Sequence, residues 1–106
     1  MDRRDVIAAL KPAGVPVIYG WYKPGAEPKR PYAVLQWLYS SDFGADGINY
    51  HRVDNWQLDL ITDGKSERHE NAVRDALTKA RIRFKQEEIN DEGADYVRSL
   101  FSFKTI

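Results

Sequence analysis

Residues 32–39, Tyr-Ala-Val-Leu-Gln-Trp-Leu-Tyr, constrain the fold more than any other stretch. Aromatic and β-branched residues in a short run bounded by turn-forming chain favour a strand. Side chains alternate across a strand, so Ala33, Leu35, Trp37 and Tyr39 share one side and Tyr32, Val34, Gln36 and Leu38 the other. Both sides are mostly apolar. Such a strand needs cover on each face, from its own chain or from a partner subunit. All five prolines (Pro12, Pro16, Pro24, Pro28, Pro31) lie at or before residue 31, so nothing after that point interrupts a strand or helix.

The rest of the chain supplies the cover. Asp2 is placed to cap a helix over Arg3–Leu10, with Asp5 at its third position and Val6, Ile7 and Leu10 on one face. Pro12 and Gly14 end it, Val15–Tyr19 is extended, and Gly20–Arg30 reads as a loop turning at Lys23-Pro24-Gly25. Ser40–Asn49, with two glycines, is a turn or projecting loop. Tyr50–Thr62 is extended again. Trp56, Leu58 and Leu60 alternate with Asn55, Gln57 and Asp59, giving one buried and one polar face, so Asp59 is expected to be solvated. Ser66–Ala80 is the main helix, capped by Asp63 or Ser66, with a narrow stripe of Ala72, Val73, Ala76, Leu77 and Ala80. Arg81–Glu88 and Tyr96–Ile106 are predicted strands. The order α-β-β-β-α-β-β predicts an α+β fold: a mixed, mostly antiparallel sheet with two helices packed on one face, in a single domain over 1–106. The second helix is long enough to serve as a crossover between parallel strands.

Charge is balanced overall, sixteen basic against sixteen acidic side chains, but it is segregated locally. Residues 79–85 carry four positive charges (Lys79, Arg81, Arg83, Lys85) and no negative one. Residues 87–95 then carry five negative charges (Glu87, Glu88, Asp91, Glu92, Asp95) and no positive one. Adjacent blocks of opposite sign suit a directional contact between subunits, or a solvated strand and turn.

Catalytic chemistry finds little support. With no cysteine there is no thiolate nucleophile, disulfide or cysteine-rich metal site. His51 and His69 have no partner at metal-ligand spacing, and Asp42 and Asp46 supply too few oxygens for a calcium loop. No serine sits in a nucleophile elbow, and Gly44–Gly47 matches no phosphate-binding fingerprint. The expectation is a non-enzyme with no cofactor and no metal. Nothing approaches the apolar length of a membrane span, and Phe84 among Arg81, Arg83 and Lys85 is a weak signal for nucleic acid, so neither a membrane nor sequence-specific nucleic acid is an expected partner. What remains is aromatic residues in or beside loops. Trp21, Phe43 and Tyr50 are candidate interface anchors, because rings bury large area at small entropic cost.

At these residues the chain resembles a known family. Val17-Ile18-Tyr19-Gly20-Trp21-Tyr22, Gly25-Ala26-Glu27-Pro28, Pro31-Tyr32-Ala33-Val34, Ser41-Asp42-Phe43, Ala45-Asp46, Asn49-Tyr50 and Trp56-Gln57-Leu58-Asp59-Leu60-Ile61-Thr62-Asp63 are similar, in order and spacing, to the small tail-completion proteins of long-tailed bacteriophages and prophages. These are also called tail terminators or head–tail joining proteins. The resemblance runs over about residues 5–106, by pattern more than by motif in the final third. It departs from the pattern at the basic Lys29-Arg30 and at Trp37, which is large for its strand position.

The resemblance implies a ring, usually hexameric, on the head-proximal end of the tail tube. There it stops tube polymerisation and presents a docking surface for the head connector. Its implied partners are further copies of itself, the tail tube protein and the head connector protein, in the virion and, during assembly, in the host cytoplasm. Phe43 and its loop would belong to an arm or intersubunit contact. A hypothesis beyond the resemblance sets the basic strand at 79–85, with Arg81, Arg83 and Lys85, against the acidic turn at 87–95, with Glu87 and Glu88, of a neighbouring subunit. The alternatives are a small protein-interaction adaptor with no phage role, and a paired-carboxylate hydrolase.

Overall fold

The computed structural model describes residues 1–45 and 47–106, with Phe43, Ala45, Ile48, Asn49 and Tyr50 described by their backbone. Helix α1 spans Arg3–Leu10 and starts on the expected Asp2 cap, which Asp5 completes into a capping box. The Asp2 carboxylate accepts the Asp5 N–H at 3.0 Å, and the Asp5 carboxylate accepts the Asp2 N–H at 3.0 Å. Val6 and Leu10 point inward. A 3₁₀ turn over Lys11–Ala13 stops at Gly14, whose φ of 72° is the left-handed conformation that glycine adopts without strain.

Strand β1 (Val17–Tyr19) is followed by the 20–31 loop and by β2 (Tyr32–Ser40). The segment expected to be a turn or projecting loop contains a small hairpin of its own, β3 (Phe43–Ala45) and β4 (Ile48–His51). It is clamped at its base, where Ser41 N–H donates to Val53 O at 2.8 Å and Val53 N–H to the Asp42 carboxylate at 3.2 Å. Arg52 and Val53 interrupt the expected 50–62 extension before β5 (Asp54–Thr62).

Helix α2 (Glu67–Lys79) is capped by Ser66 rather than Asp63, and β6 (Phe84–Ile89) and β7 (Val97–Thr105) complete the chain. The 81–88 strand therefore starts three residues late. Arg81 takes a left-handed φ of 61° and Ile82 N–H bonds back to Leu77 O at 2.9 Å, so these residues terminate α2 instead of entering the sheet.

The main sheet has the order β1-β2-β5-β7-β6. β1 is parallel to β2; every other neighbouring pair is antiparallel. Thus the sheet is mixed and mostly antiparallel, as the element order predicted. β5 and β6 both oppose β7 and so run the same way, with α2 crossing between them and β7 lying in the gap. The hydrogen-bonded parallel pair is closed by a loop, not by the helix.

One face carries Ala33, Leu35, Trp56, Leu58, Leu60, Phe101 and Phe103 against Val6 and Leu10 of α1 and Val73, Ala76 and Leu77 of α2. Phe101 is fully buried, a contribution of roughly 1.5–3 kcal/mol for a side chain of this size. Trp56 keeps its indole N–H satisfied by donating to the Thr105 hydroxyl at 2.8 Å.

The opposite face is covered over only half its length. There the 20–31 loop and its neighbours lay Ile18, Tyr22 and Tyr96 over Tyr32, Val34 and Ile61. Asp59 lies on this face, opposite Leu58 and Leu60 as expected, but it is not solvated: its exposure is 1%. Its cross-strand neighbours are Val34 and Leu100. Gln57 Nε2 donates to Oδ1 at 3.1 Å, and Arg98 Nη1 stands 3.9 Å from Oδ2. Alternation placed the side chain correctly; the second face is simply not open water at that point.

Candidate functional site

The uncovered half of the second face begins where β2 leaves its partner. β1 is three residues long and pairs only with Ala33–Leu35. Beyond it, Leu38 and Tyr39 are 43% and 55% exposed, while Trp37, opposite Trp56 on the helix side of the sheet, is 42% exposed. A register shift between Trp37 and Tyr39 bulges the strand at Leu38 and turns successive apolar side chains outward. Trp37 is held in place: its indole N–H donates at 2.9 Å to the Asp54 carboxylate, which also receives Arg52 Nε at 2.9 Å. Burial pushes the Asp54 carboxyl up, but these two donors outweigh it and hold the group below the ordinary aspartate value.

Next to this apolar run lies an open groove of about 780 Å³. Leu38 and Tyr39 border one side, Ser102 and Lys104 cross its floor, and Arg81, Arg83 and Lys85 border the other. The turn between α2 and β6 delivers Arg81 and Arg83, the start of β6 delivers Lys85, and alternation along β7 puts Lys104 beside them. No Asp or Glu side chain among the described residues lines the groove. Among the described residues, the only acid within ion-pair reach of these four cations is Glu87, 3.2 Å from Lys85.

The expected site residues thus fall in separate places. Arg81, Arg83 and Lys85 converge on the groove. Glu87 is exposed beside Lys85, whereas Glu88 turns to Lys65, which it meets at 2.8 Å. That contact lowers the Glu88 carboxyl and raises the Lys65 ammonium. Trp21 is 61% exposed at the far end of β2, edge-on to Tyr22 at a centroid distance of 6.0 Å. The side chains of Phe43 and Tyr50 lie outside the described residues; their backbones form the hairpin beyond Ser41.

Leu38, Tyr39, Ser102 and Lys104 in the groove were not among the expected site residues. Leu38 and Tyr39 were legible only as apolar side chains on a strand with too little chain left to cover them. Lys104 was legible as the polar alternate of Phe103.

The acidic end of the β6–β7 hairpin is built differently. Lys65 is shared by Glu70 and Glu88, at 2.9 and 2.8 Å. Arg30 is shared by Asp63 and Asp95, at 3.2 and 3.0 Å, and the guanidinium holds the Asp95 carboxyl below its ordinary value. Each cation therefore answers two carboxylates, and Glu92 in the same turn adds a further negative charge.

Asp54 and Asp59 do not form a catalytic pair. Their odd spacing along β5 sends them to opposite faces of the sheet. Among the described residues no three His, Asp or Glu side chains come together as a metal site, and no helix is long and apolar enough to cross a membrane.

No protein-family model and no curated protein sequence matches the chain. Among solved structures, it is similar to a chain in the virion of a native gene transfer agent (GTA) particle. The two share 23% sequence identity, and the match covers 93% of this chain and 81% of that one with a TM-score of 0.58. At this identity the likeness is one of fold, and it extends over nearly all of the chain described above.

Proposed function

We propose that this protein is a structural subunit of a phage-like virion that caps the tail tube, stops its polymerisation and offers the docking surface for the head connector. The observation that carries this reading is the fold shared with a gene transfer agent virion chain over 93% of the sequence. The resemblance of residues 5–106 to tail-completion proteins supports the finer assignment to the head-proximal end of the tail, in a ring of about six copies. Exposed Leu38 and Tyr39 support association, because an apolar surface beside a charged groove is costly to leave in water. The role needs no cofactor and no chemical step. Its partners are further copies of this chain, the tail tube protein and the connector.

Electron microscopy of the protein mixed with tail tubes from the same genome tests the reading. Capped ends and a narrowed distribution of tube lengths are expected. Tubes that grow identically with and without the protein would refute it.

A further inference from the structure

We infer that the basic groove on the uncovered half of the sheet receives the acidic β6–β7 turn, residues 90–95, of a second copy of this chain. The inference rests on the proposed assembly role and names the surfaces through which copies would meet. Its basis is the distribution of charge. Among the described residues, Arg81, Arg83, Lys85 and Lys104 gather in a groove lined by no Asp or Glu side chain, and only Lys85 has such a side chain within reach. The other end of the same hairpin has the opposite excess, with Lys65 and Arg30 each divided between two carboxylates and Glu92 adding to them. A chain with zero formal net charge and a strongly positive groove must carry a matching negative excess elsewhere, and much of it is concentrated here.

The two surfaces cannot satisfy one another within one molecule. They lie at opposite ends of β6, whose six residues span roughly 20 Å. A contact between them is therefore heterologous: the groove of one copy meets the turn of the next, and a joined pair keeps one free groove and one free turn. Such a contact closes into a ring when the rotation between copies allows it. Leu38 and Tyr39, exposed along the groove wall, give the contact apolar area to bury, while the charges set its direction and reject a groove-to-groove approach. The backbone edge of β6 stays available alongside the groove, since among the described residues its one sheet partner is β7.

The absence of cysteine makes a direct test simple. Two variants are prepared, Arg83→Cys and Glu92→Cys, mixed at several hundred micromolar and oxidised. A disulfide needs the two Cα atoms within about 7 Å, so these positions cannot be joined within one chain. The expected result is a disulfide-linked heterodimer at least about fivefold more abundant than the homodimers from either variant alone, falling about fivefold in 0.5 M salt. A single chain carrying both substitutions should give a ladder of covalent oligomers.

Heterodimer no more abundant than the homodimers, or yield indifferent to salt, would overturn the inference. So would preferential disulfide formation between the groove cysteine and a cysteine placed in an acidic segment of the tail tube protein, when that protein is added to the same mixture. Tube capping is scored separately by microscopy: capping without the crosslink overturns this contact and leaves the proposed function standing, whereas the crosslink without capping does the reverse.

Discussion

Asp59 holds a carboxylate where the sheet offers it little solvent. Burial raises its pKa above the ordinary 3.8; the Gln57 amide and Arg98 guanidinium pull the other way without cancelling the effect. A folded-state pKa above the unfolded one means that the folded chain binds the proton more tightly. The associated stability is fully present below the unfolded value and is lost as pH rises through the folded one. Asp59→Asn removes the buried charge and keeps the shape, so at pH 7 it should stabilise the fold by roughly 1 kcal/mol, with the gain shrinking as both forms are titrated toward pH 4. Urea unfolding at the two pH values measures this; a loss of stability at pH 7 would mean that the Arg98 attraction outweighs burial. The side of β5 on which Asp59 sits was legible from alternation. Its burial was not, because it depends on Val34 and Leu100 of other strands and on a loop whose path no local pattern specifies.

Elements whose limits depend on short-range chemistry were the most legible. The Asp2–Asp5 box sets the start of α1, and the small-residue stripe of α2 docks where period 3.6 put it. The start of α2 was ambiguous between two capping candidates, and Ser66 takes the role, its hydroxyl accepting the His69 N–H at 3.4 Å and meeting His69 Nδ1 at 2.6 Å. Ser66→Ala should cost about 1 kcal/mol in thermal or urea unfolding, with Asp63→Ala leaving the helix unchanged. Element limits set by competition were less legible. Residues 81–83 look like the opening of a strand by alternation, yet the end of α2 claims them first. That competition creates the groove, since a strand beginning at Arg81 would have spread the three cations along the sheet edge.

For the whole molecule, the decisive feature is an apolar surface that the chain leaves uncovered. Among the predicted site residues, the cation cluster was legible because charge blocks are visible in a linear sequence. The aromatic anchors were less so, since exposure is a property of the finished packing: Trp21 is exposed at one end of β2, while the surface beside the groove is formed by Leu38 and Tyr39. The double variant Leu38→Asp/Tyr39→Asp exchanges exposed side chains and should leave folding stability within about 0.5 kcal/mol. It should abolish self-association and tube capping, as read by sedimentation velocity and microscopy. Capping at the wild-type level would remove this surface from the assembly.

The shortness of β1 leaves a usable record of assembly. Amides on the β1 side of β2 are sheltered along Ala33–Leu35, whereas beyond Gln36 no strand among the described residues adjoins that side in the main sheet. In the free protein, the N–H groups of Trp37–Ser40 that point away from β5 should exchange with deuterium quickly, while those of the first half exchange slowly. If copies or tube subunits settle against that edge, the difference between the two halves of one strand should disappear. Isotope uptake along nine residues would then report assembly without any label, substitution or loss of the native surface.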